Sequence, residues 1–289
     1  MVVRSDEMAL SGTVLVLSCR ALSASPGMLL IQKDEVSCVR LLFMLTLLAA
    51  VLGLGIGSFL NVCICRLPEH RSIAWPRSSC PHCGRRLAPR DLVPVVSYLR
   101  LGGRCRYCRE PISPQYPIVE LATGLLFAAI VAAYGVSLAS IKHMIFVSLL
   151  IVVAGTDINT RLIPNTVTYP GMAIGLILSL FVPGISLLQS IIGLLVCGGV
   201  VYLLALASRG GMGGGDIKLM GMMGAFLGWD AGLLALFIGA LLGSVVGIER
   251  IALGKQKRRD PMPFGPFLAV GGLISAFFAP SILSFIFFQ

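Results

Sequence analysis

The chain has 289 residues, 56% of them hydrophobic and only 12% charged. Soluble domains carry about 25% charged residues, so the composition excludes an ordinary soluble enzyme and predicts an integral membrane protein. The net charge of +10 does not indicate nucleic-acid binding, because no aromatic stacking surface is interleaved with the basic residues. We therefore expect the lipid bilayer, and no nucleic acid, as a partner.

The first 40 residues fit no membrane span. They hold four basic and four acidic residues, and their apolar stretch, GTVLVLS, is too short to cross a bilayer. A signal-like segment, a disordered tail and a start codon assigned too early are all compatible with this extension of residues 1–40. We assign it no function.

Uncharged apolar segments follow, each about as long as the roughly 18 residues that a membrane helix needs, or longer. They are residues 41–65, 121–141, 162–208, 231–248 and 261–289. Clusters of arginine and lysine beside such segments mark the cytoplasmic side of a membrane. The markers here are residues 66–109, Arg161, Arg209 and residues 250–259.

An even number of crossings must separate markers that all lie in the cytoplasm. Each interval between them fits a helical hairpin, with outer turns near residues 142–143, 182–186 and 229–230. Adding one helix at each end, the sequence predicts an all-α polytopic membrane protein with about eight transmembrane helices. A single helix over residues 219–248 fits the hydropathy equally well, but it would place the last basic cluster outside the cell, so we favour the hairpin.

The loop of residues 66–116, which follows the first predicted helix at residues 41–65, contains a metal-binding pattern. Two C-x-x-C pairs lie in it: Cys80, Cys83, Cys105 and Cys108. This spacing is typical of four-cysteine zinc knuckles. Two disulfides, a redox-active pair and iron are the alternatives, but a cytoplasmic loop is reducing and the doubled pair favours a metal. Four cysteine ligands leave no open coordination position, so we expect a structural zinc that folds the loop.

Acidic residues are rare in the remaining membrane domain, residues 117–289, and two of them are candidates for chemistry. Asp157 lies at the predicted cytoplasmic end of one helix, and Asp216 lies at the predicted cytoplasmic start of another, behind a run of glycines. Ionisable groups are costly in a membrane and indicate function by default. Two neighbouring carboxylates can share a proton, so that one acts as acid and the other as base, as in an aspartic protease. Helix capping and proton coupling in a transporter remain open on these residues alone.

The sequence GMGGGDIKL at residues 211–219 resembles the GxGD signature of the type IV prepilin leader peptidases, which are membrane aspartic proteases. Further blocks occur in the family's order: GSFLNVCICRLP, the paired C-x-x-C loop, ISPQYPIVELATG, DINTRLIPN and PFGPFLAVGG. Together they cover the chain from about Met44 to its end. A GxGD motif alone is shared with presenilin-type proteases, so the ordered blocks carry the resemblance.

The resemblance implies that Asp157 and Asp216 form the catalytic pair and that the four cysteines bind zinc. It implies a bacterial inner-membrane enzyme whose active site faces the cytoplasm, with residues 117–289 as its protease domain. The implied substrates are type IV prepilins or type II secretion pseudopilins, cut after a basic leader that ends in glycine. Family members with the full cysteine loop also N-methylate the new amino terminus with S-adenosylmethionine, and Gly103 matches a family glycine associated with methylation. The oligomeric state stays open.

Other residues carry weaker expectations. Glu120 is either a structural partner of an arginine in the loop or a substrate contact. Arg161, Pro164 and Asn165 are expected to form a tight turn. Residues 263–267 are expected to start the last helix and to pack near the two aspartates.

Overall fold

The computed structural model describes residues 28–208, 213–254 and 262–287, and side chains from Ser37 onward except those of Cys38 and Phe287. Most of the N-terminal extension, Arg209, part of the glycine run and the basic residues 255–259 lie outside the described residues. The expectations for these segments therefore stay predictions.

Helices are the only regular secondary structure in the described part of the chain, apart from two isolated backbone bridges. In chain order they are α1 (Met28–Arg66), α2 (Val96–Arg100), α3 (Gln115–Tyr134), α4 (Leu138–Thr160), α5 (Asn165–Phe181), α6 (Leu187–Ala207), α7 (Gly214–Ala252) and α8 (Gly265–Phe287). A short 3₁₀ turn, Pro89–Asp91, precedes α2. The predicted all-α class is confirmed.

Counting only the described residues, six of these helices are long and apolar enough to cross a membrane. The chain is therefore a multi-pass membrane protein. The 17-residue α5 falls just below that length, and a break divides the 39-residue α7 into two helices. When α5 and both halves of α7 are counted, the described helices are compatible with about eight crossings. The backbone of α1 begins at Met28, before the predicted start at residue 41, because hydropathy marks only the apolar part of a helix and charged residues lie at 33–35 and 40.

Gly228 divides α7 into two helices. Its backbone angles, φ 83° and ψ 177°, lie in a region that only glycine enters without strain. A Cβ placed on Gly232 would lie 3.4 Å from the Cα of Gly224, whereas residues eight apart in a straight helix are separated by about 12 Å. The chain therefore reverses at Gly228, as the predicted hairpin near residues 229–230 requires and a single helix does not.

One predicted turn is wrong. Since α3 ends at Tyr134 and α4 begins at Leu138, the chain turns at residues 135–137, and residues 142–143 lie within α4. Gly135 ends α3 with a positive φ of 63°. The Ser137 hydroxyl accepts a hydrogen bond from the Ser140 N–H at 3.2 Å, which is the arrangement of a helix N-cap. This cap, rather than the nearest charged residue, fixes where α4 starts.

The chain divides into two compact units. The first comprises residues 1–63 and 72–144 and contains the cysteine loop. In it, α1 packs closely against α3, because a Cβ on Gly53 or Gly57 would lie 2.7 Å from backbone atoms of α3. The second comprises residues 64–71 and 145–289, where Gly193 of α6 and Gly224 of α7 bring two backbones into contact. Such close approach is how helices associate in lipid, where burial of apolar surface gives little driving force.

Candidate active site and metal centre

Asp157 and Asp216 lie on one cavity of the second unit, with a volume of about 210 Å³. The residues that line it come from the end of α4, the connection to α5 and the start of α7: Asp157, Arg161, Leu162, Ile163, Asn165, Gly213, Gly214, Gly215, Asp216 and Lys218. The structure therefore brings together the two aspartates that the sequence singled out, although 59 positions separate them in the chain.

Asp157 lies in the last turn of α4 and is only 5% exposed. Its Oδ2 atom accepts a hydrogen bond of 2.8 Å from the backbone N–H of Gly265, the first residue of α8. N–H groups in the first turn of a helix have no partner within that helix, and the helix dipole favours a negative charge there. The start of α8 therefore holds this carboxylate in place.

Gly265 contacts Asp157 in a way that the sequence did not reveal. The PFGPF block was expected to pack near the aspartates, and Gly265 within it does, through its backbone N–H. A Cβ on Gly265 would lie 2.8 Å from the Asp157 Oδ2 atom, so a larger residue would displace the carboxylate. A glycine at a helix start is the only local signal, and it does not point to a partner 108 positions away.

Asp216 is the third residue of α7 and is 9% exposed. Its Oδ2 atom accepts a hydrogen bond of 3.3 Å from the N–H of Gly213, the residue before the helix. The carboxylate thus reaches back to the helix start, as the acidic residue of a capping box does. Asp216 therefore helps to cap its helix, although the N-cap residue itself is Gly213. The same carboxylate also lies on the cavity.

The glycine before Asp216 has a packing reason. A Cβ on Gly215 would lie 2.9 Å from the Cβ of Ile163, so a larger residue would push away the segment that follows Asp157. Gly215 therefore lets the chain segment after one aspartate approach the segment just before the other. This close approach explains why the cavity has an aspartate on each side.

Two cations line the same cavity. The Lys218 Nζ donates a hydrogen bond of 2.8 Å to the Asn165 Oδ1 atom, and it lies 5.3 Å from the centre of the Tyr169 ring. Arg161 follows α4 with a positive φ of 57°. Pro164 and Asn165 begin α5, as a turn here requires. The contact of Asn165 with Lys218 spans 53 positions and was not predicted.

The four cysteines of the loop come together in the first unit. Their sulfur atoms all lie within 4.8 Å of one another, and the Sγ atoms of Cys80 and Cys108 are 3.8 Å apart. Four sulfurs placed tetrahedrally at about 2.3 Å from one metal ion would be about 3.8 Å apart. The donor set and its geometry therefore fit a metal ion. His82, between the first two cysteines, is exposed.

The two cysteine pairs have the same backbone fold, 25 positions apart. The Cys80 N–H donates to the Arg85 carbonyl at 3.0 Å, and the Cys105 N–H donates to the Glu110 carbonyl at 2.8 Å. Bridges between residues 79 and 86 and between residues 104 and 111 close each turn. Because each turn presents two sulfurs in the same way, the pair of turns completes a four-sulfur site.

Charges inside the loop support this site. Backbone N–H groups of Cys108 and Tyr107 lower the pKa of the Cys105 thiol to about 6, which favours the thiolate that a metal needs. A backbone hydrogen bond at Glu110 lowers the pKa of the Cys108 thiol, but burial and hydrogen bonds with the other three cysteines outweigh it and raise that pKa to about 12. Without a metal, these thiols therefore share their protons.

The Arg106 Nε donates a hydrogen bond of 2.8 Å to the Asp91 Oδ1 atom. This contact lowers the pKa of the Asp91 carboxyl, whose side chain is 2% exposed. The ion pair therefore ties the segment before α2 to the second cysteine turn.

Glu120 connects the loop to a membrane helix. Its Oε2 atom accepts a hydrogen bond of 2.7 Å from the Val95 N–H, and its carboxylate also bonds to Ser58. Val95 has a positive φ of 59°, a strained conformation for a β-branched residue that its surroundings must hold. Glu120 is therefore a structural partner of the loop rather than of an arginine side chain. The expected structural role is found, but the group that Glu120 binds is the backbone N–H of Val95.

Gly103 has a conformational reason to be glycine. Its φ is 66°, and a Cβ there would lie 3.0 Å from the Tyr98 hydroxyl. The Tyr98 side chain thus fills the space in front of Gly103, and this position is not an open cradle for a cofactor. The assignment of Gly103 to cofactor binding stays a prediction.

Two parts of the chain match known families. Residues 51–134 match the bacterial peptidase A24 N-terminal domain, and residues 144–248 match the type IV leader peptidase family. No solved structure matches the chain significantly.

Proteins similar to this chain occur in several bacteria. It is 39% identical over 240 residues to a protein of Bacillus subtilis named prepilin leader peptidase/N-methyltransferase, an alignment that covers 81% of this chain and 95% of that protein. Proteins of the same name from Burkholderia pseudomallei and Aeromonas hydrophila are 37% and 34% identical, and the alignments cover 80% and 81% of this chain and 84% and 91% of those proteins. By these matches, the chain belongs to the type IV leader peptidase family.

Proposed function

We propose that this protein is a membrane-embedded aspartic endopeptidase of the bacterial inner membrane. It removes the basic leader peptide from type IV prepilins or type II secretion pseudopilins on the cytoplasmic side and then N-methylates the new amino terminus. The observation that carries the proposal is the pair of buried aspartates, Asp157 and Asp216, on one cavity between the end of α4 and the start of α7. The names of the similar proteins supply the substrate class.

The proposed cleavage uses the two carboxylates in complementary roles. One takes a proton from a water molecule as the water oxygen attacks the scissile carbonyl carbon, and the other donates its proton to the carbonyl oxygen. The tetrahedral species then breaks its C–N bond: the leaving amine takes the proton that came from water, and a hydroxyl of the tetrahedral species returns a proton to the other carboxylate as the new carboxyl group forms. Each step uses both aspartates, which agrees with their position on a single cavity.

The surroundings of the aspartates suit this chemistry. Each carboxylate accepts a backbone N–H, from Gly265 or from Gly213, so each is oriented without a second titratable side chain. Lys218 and Arg161, on the same cavity, favour negative charge on the reacting groups. A cavity of about 210 Å³ is smaller than the roughly 300–1,000 Å³ of sites for small organic ligands. It therefore suits a short extended segment on either side of the bond to be cut.

The cysteine loop has a structural role in this proposal. Zinc is the metal that best suits four cysteine ligands in a reducing compartment, and it would hold the two cysteine turns together. The methyl donor would be S-adenosylmethionine, which supplies an activated methyl group when bound. Since Tyr98 fills the space in front of Gly103, the binding position of the cofactor is not assigned to that residue.

The proposed domain organisation follows these roles. Residues 41–65 are the first transmembrane helix, residues 66–116 are the cytoplasmic zinc loop and residues 117–289 are the protease domain, while residues 1–40 carry no assigned role.

The test is cleavage of a synthetic prepilin, consisting of a leader and a first helix, by the protein in detergent or nanodiscs. Wild type, Asp157→Asn and Asp216→Asn are compared with S-adenosylmethionine present, and the product masses are recorded. We expect cleavage after the leader glycine by wild type only, and a product one methyl heavier when the cofactor is present. An intact substrate with well-folded wild type, for a prepilin and for a pseudopilin alike, would contradict the proposal.

A further inference from the structure

Residues 92–101, in and around the short helix α2, expose an unusual amount of apolar surface. The exposed fractions of Leu92, Val93, Val96 and Leu99 are 41%, 44%, 59% and 71%. Val96 and Leu99 lie three positions apart in α2, so their side chains share one face of that helix, and Leu92 and Val93 lie in the segment just before it. Single exposed apolar residues are ordinary, but a contiguous apolar group of this kind indicates a contact surface.

The position of this group relative to the membrane helix α3 is fixed by a hydrogen bond. Val95, in the middle of the segment, donates its N–H to Glu120 at 2.7 Å. Glu120 is the sixth residue of α3, a candidate membrane span, and thus lies about 7.5 Å along the axis from the helix start. The apolar group is therefore held beside the first two turns of α3, near one end of a candidate membrane span.

The charges beside the group match the same environment. Arg90 and Arg100 are exposed at the two ends of the segment. The acidic residue between them, Asp91, pairs with Arg106 and also interacts with Arg90, so one carboxylate stands against three arginines and the segment keeps a net positive charge. Basic side chains next to apolar ones are typical of elements that lie in a membrane interface, where arginines meet anionic lipid headgroups.

We infer that residues 92–101 form an interfacial anchor, with Leu92, Val93, Val96 and Leu99 inserted among the lipid headgroups and upper acyl chains. Arg90 and Arg100 bind the phosphates of anionic lipids at its edges. The anchor adds a third attachment of the cysteine loop to the bilayer, besides the helices α1 and α3 that the loop connects. Its occupant is the lipid surface, rather than a substrate or a second copy of the chain, because the anchor lies beside a span of its own chain and is flanked by positive charge.

The experiment places a single tryptophan on the anchor and measures its quenching by lipids brominated on their acyl chains. The chain has two tryptophans, Trp75 and Trp229, and both are replaced by phenylalanine. Leu99→Trp reports on the anchor, Val96→Trp is a second reporter in case the first variant does not fold, and His82→Trp is a matched control on the exposed side of the cysteine site. Full-length protein is reconstituted in nanodiscs that contain phosphatidylglycerol.

We expect brominated lipids to quench the anchor reporter at least twofold more than the His82→Trp control. The quenching should fall when phosphatidylcholine replaces the anionic lipid, and Arg90→Gln with Arg100→Gln should remove that dependence on lipid charge. Equal quenching at both reporters would overturn the inference. A blue-shifted but unquenched anchor tryptophan would also overturn it, because another protein segment would then cover the surface. These readouts do not depend on cleavage, so they stand whether or not the proposed function holds.

Discussion

The aspartate cavity and the cysteine loop hold their polar groups in place by different means. In the cavity, backbone N–H groups of Gly265 and Gly213 orient the carboxylates, and glycines make room for them. In the loop, backbone N–H groups also contact the Cys105 thiol, but the polar side chains mainly meet one another: four sulfurs converge, and Arg106 pairs with Asp91. The difference agrees with the proposed tasks of the two sites, because a reacting carboxylate must keep its proton exchangeable while a structural metal site is best fully bound.

This comparison predicts different sensitivities. Substitutions in the loop should act through folding, because the loop has little core besides its metal site. Substitutions around the cavity should change the rate of cleavage with little effect on folding, because they move a carboxylate by a small distance within a packed set of helices.

The largest expected effect is that of metal removal on the loop. Structural zinc contributes about 10–16 kcal/mol of apparent binding free energy in small zinc domains, so a chelator or Cys105→Ser should unfold residues 66–116. Limited proteolysis should then cut the loop at its arginines, while circular dichroism should show the membrane helices intact. Cys65→Ser, at a cysteine outside the cluster, is the control. A loop that stays protease-resistant without metal would contradict the structural role.

Next in size is the effect of Gly265→Ala on cleavage. The added Cβ would lie 2.8 Å from the Asp157 Oδ2 atom, and a displacement of a reacting group by about 1 Å can reduce a rate about 100-fold. We expect a fall in kcat of that order with an unchanged Tm. Gly199→Ala is the matched control, because nothing lies within 4 Å of a Cβ at Gly199. An unchanged kcat for Gly265→Ala would show that the bond to Gly265 does not position Asp157.

Smaller effects are expected at the residues that hold Lys218. Asn165→Ala removes the hydrogen bond of 2.8 Å to its Nζ and should lower kcat about tenfold, which corresponds to about 1.4 kcal/mol. Tyr169→Leu removes the ring beside the ammonium group, worth about 0.5–1 kcal/mol at an exposed site, whereas Tyr169→Phe keeps it. If steady-state kinetics give Tyr169→Leu and Tyr169→Phe the same kcat, the Tyr169 ring has no role in holding Lys218.

The remaining expected effect is a modest gain in stability of the loop, with no change in the rate of cleavage. Gly84 and Arg109 occupy equivalent places in the two cysteine turns, with φ of 68° and 61°. This left-handed conformation costs a non-glycine residue about 1–2 kcal/mol, so Arg109→Gly should raise the chelator concentration needed to unfold the loop. Gly84→Ala should lower it. Opposite shifts would indicate that the Arg109 side chain, rather than its backbone, stabilises the second turn.

Much of this architecture could be predicted because it depends on local patterns. Apolar segments and basic clusters predicted a hairpin near residues 229–230, and the backbone reverses at Gly228. The cysteine spacing predicted a cluster, and the sulfurs converge. The turn after α3 was misplaced because hydropathy responds to the charge of Lys142, while the helix start is fixed by the hydroxyl of Ser137.

The contacts that complete each site could not be predicted. The bonds of Asp157 to Gly265, of Lys218 to Asn165 and of Glu120 to Val95 join residues 108, 53 and 25 positions apart. No periodicity relates such pairs, because helix packing decides which side chains meet. A polar residue in an apolar segment shows that a partner is needed, and only the fold shows which residue or backbone group supplies it.

The central claim is that Asp157 and Asp216 act as one unit. The measurement that tests it most directly is the single-turnover rate of prepilin cleavage by Asp157→Asn, by Asp216→Asn and by the protein with both substitutions. We predict that each single substitution reduces the rate about 1,000-fold or more and that the double substitution is no slower than the slower single one, because residues that act as a unit are strongly non-additive. Losses that multiply in the double variant, or a single variant close to the wild-type rate, would contradict the account.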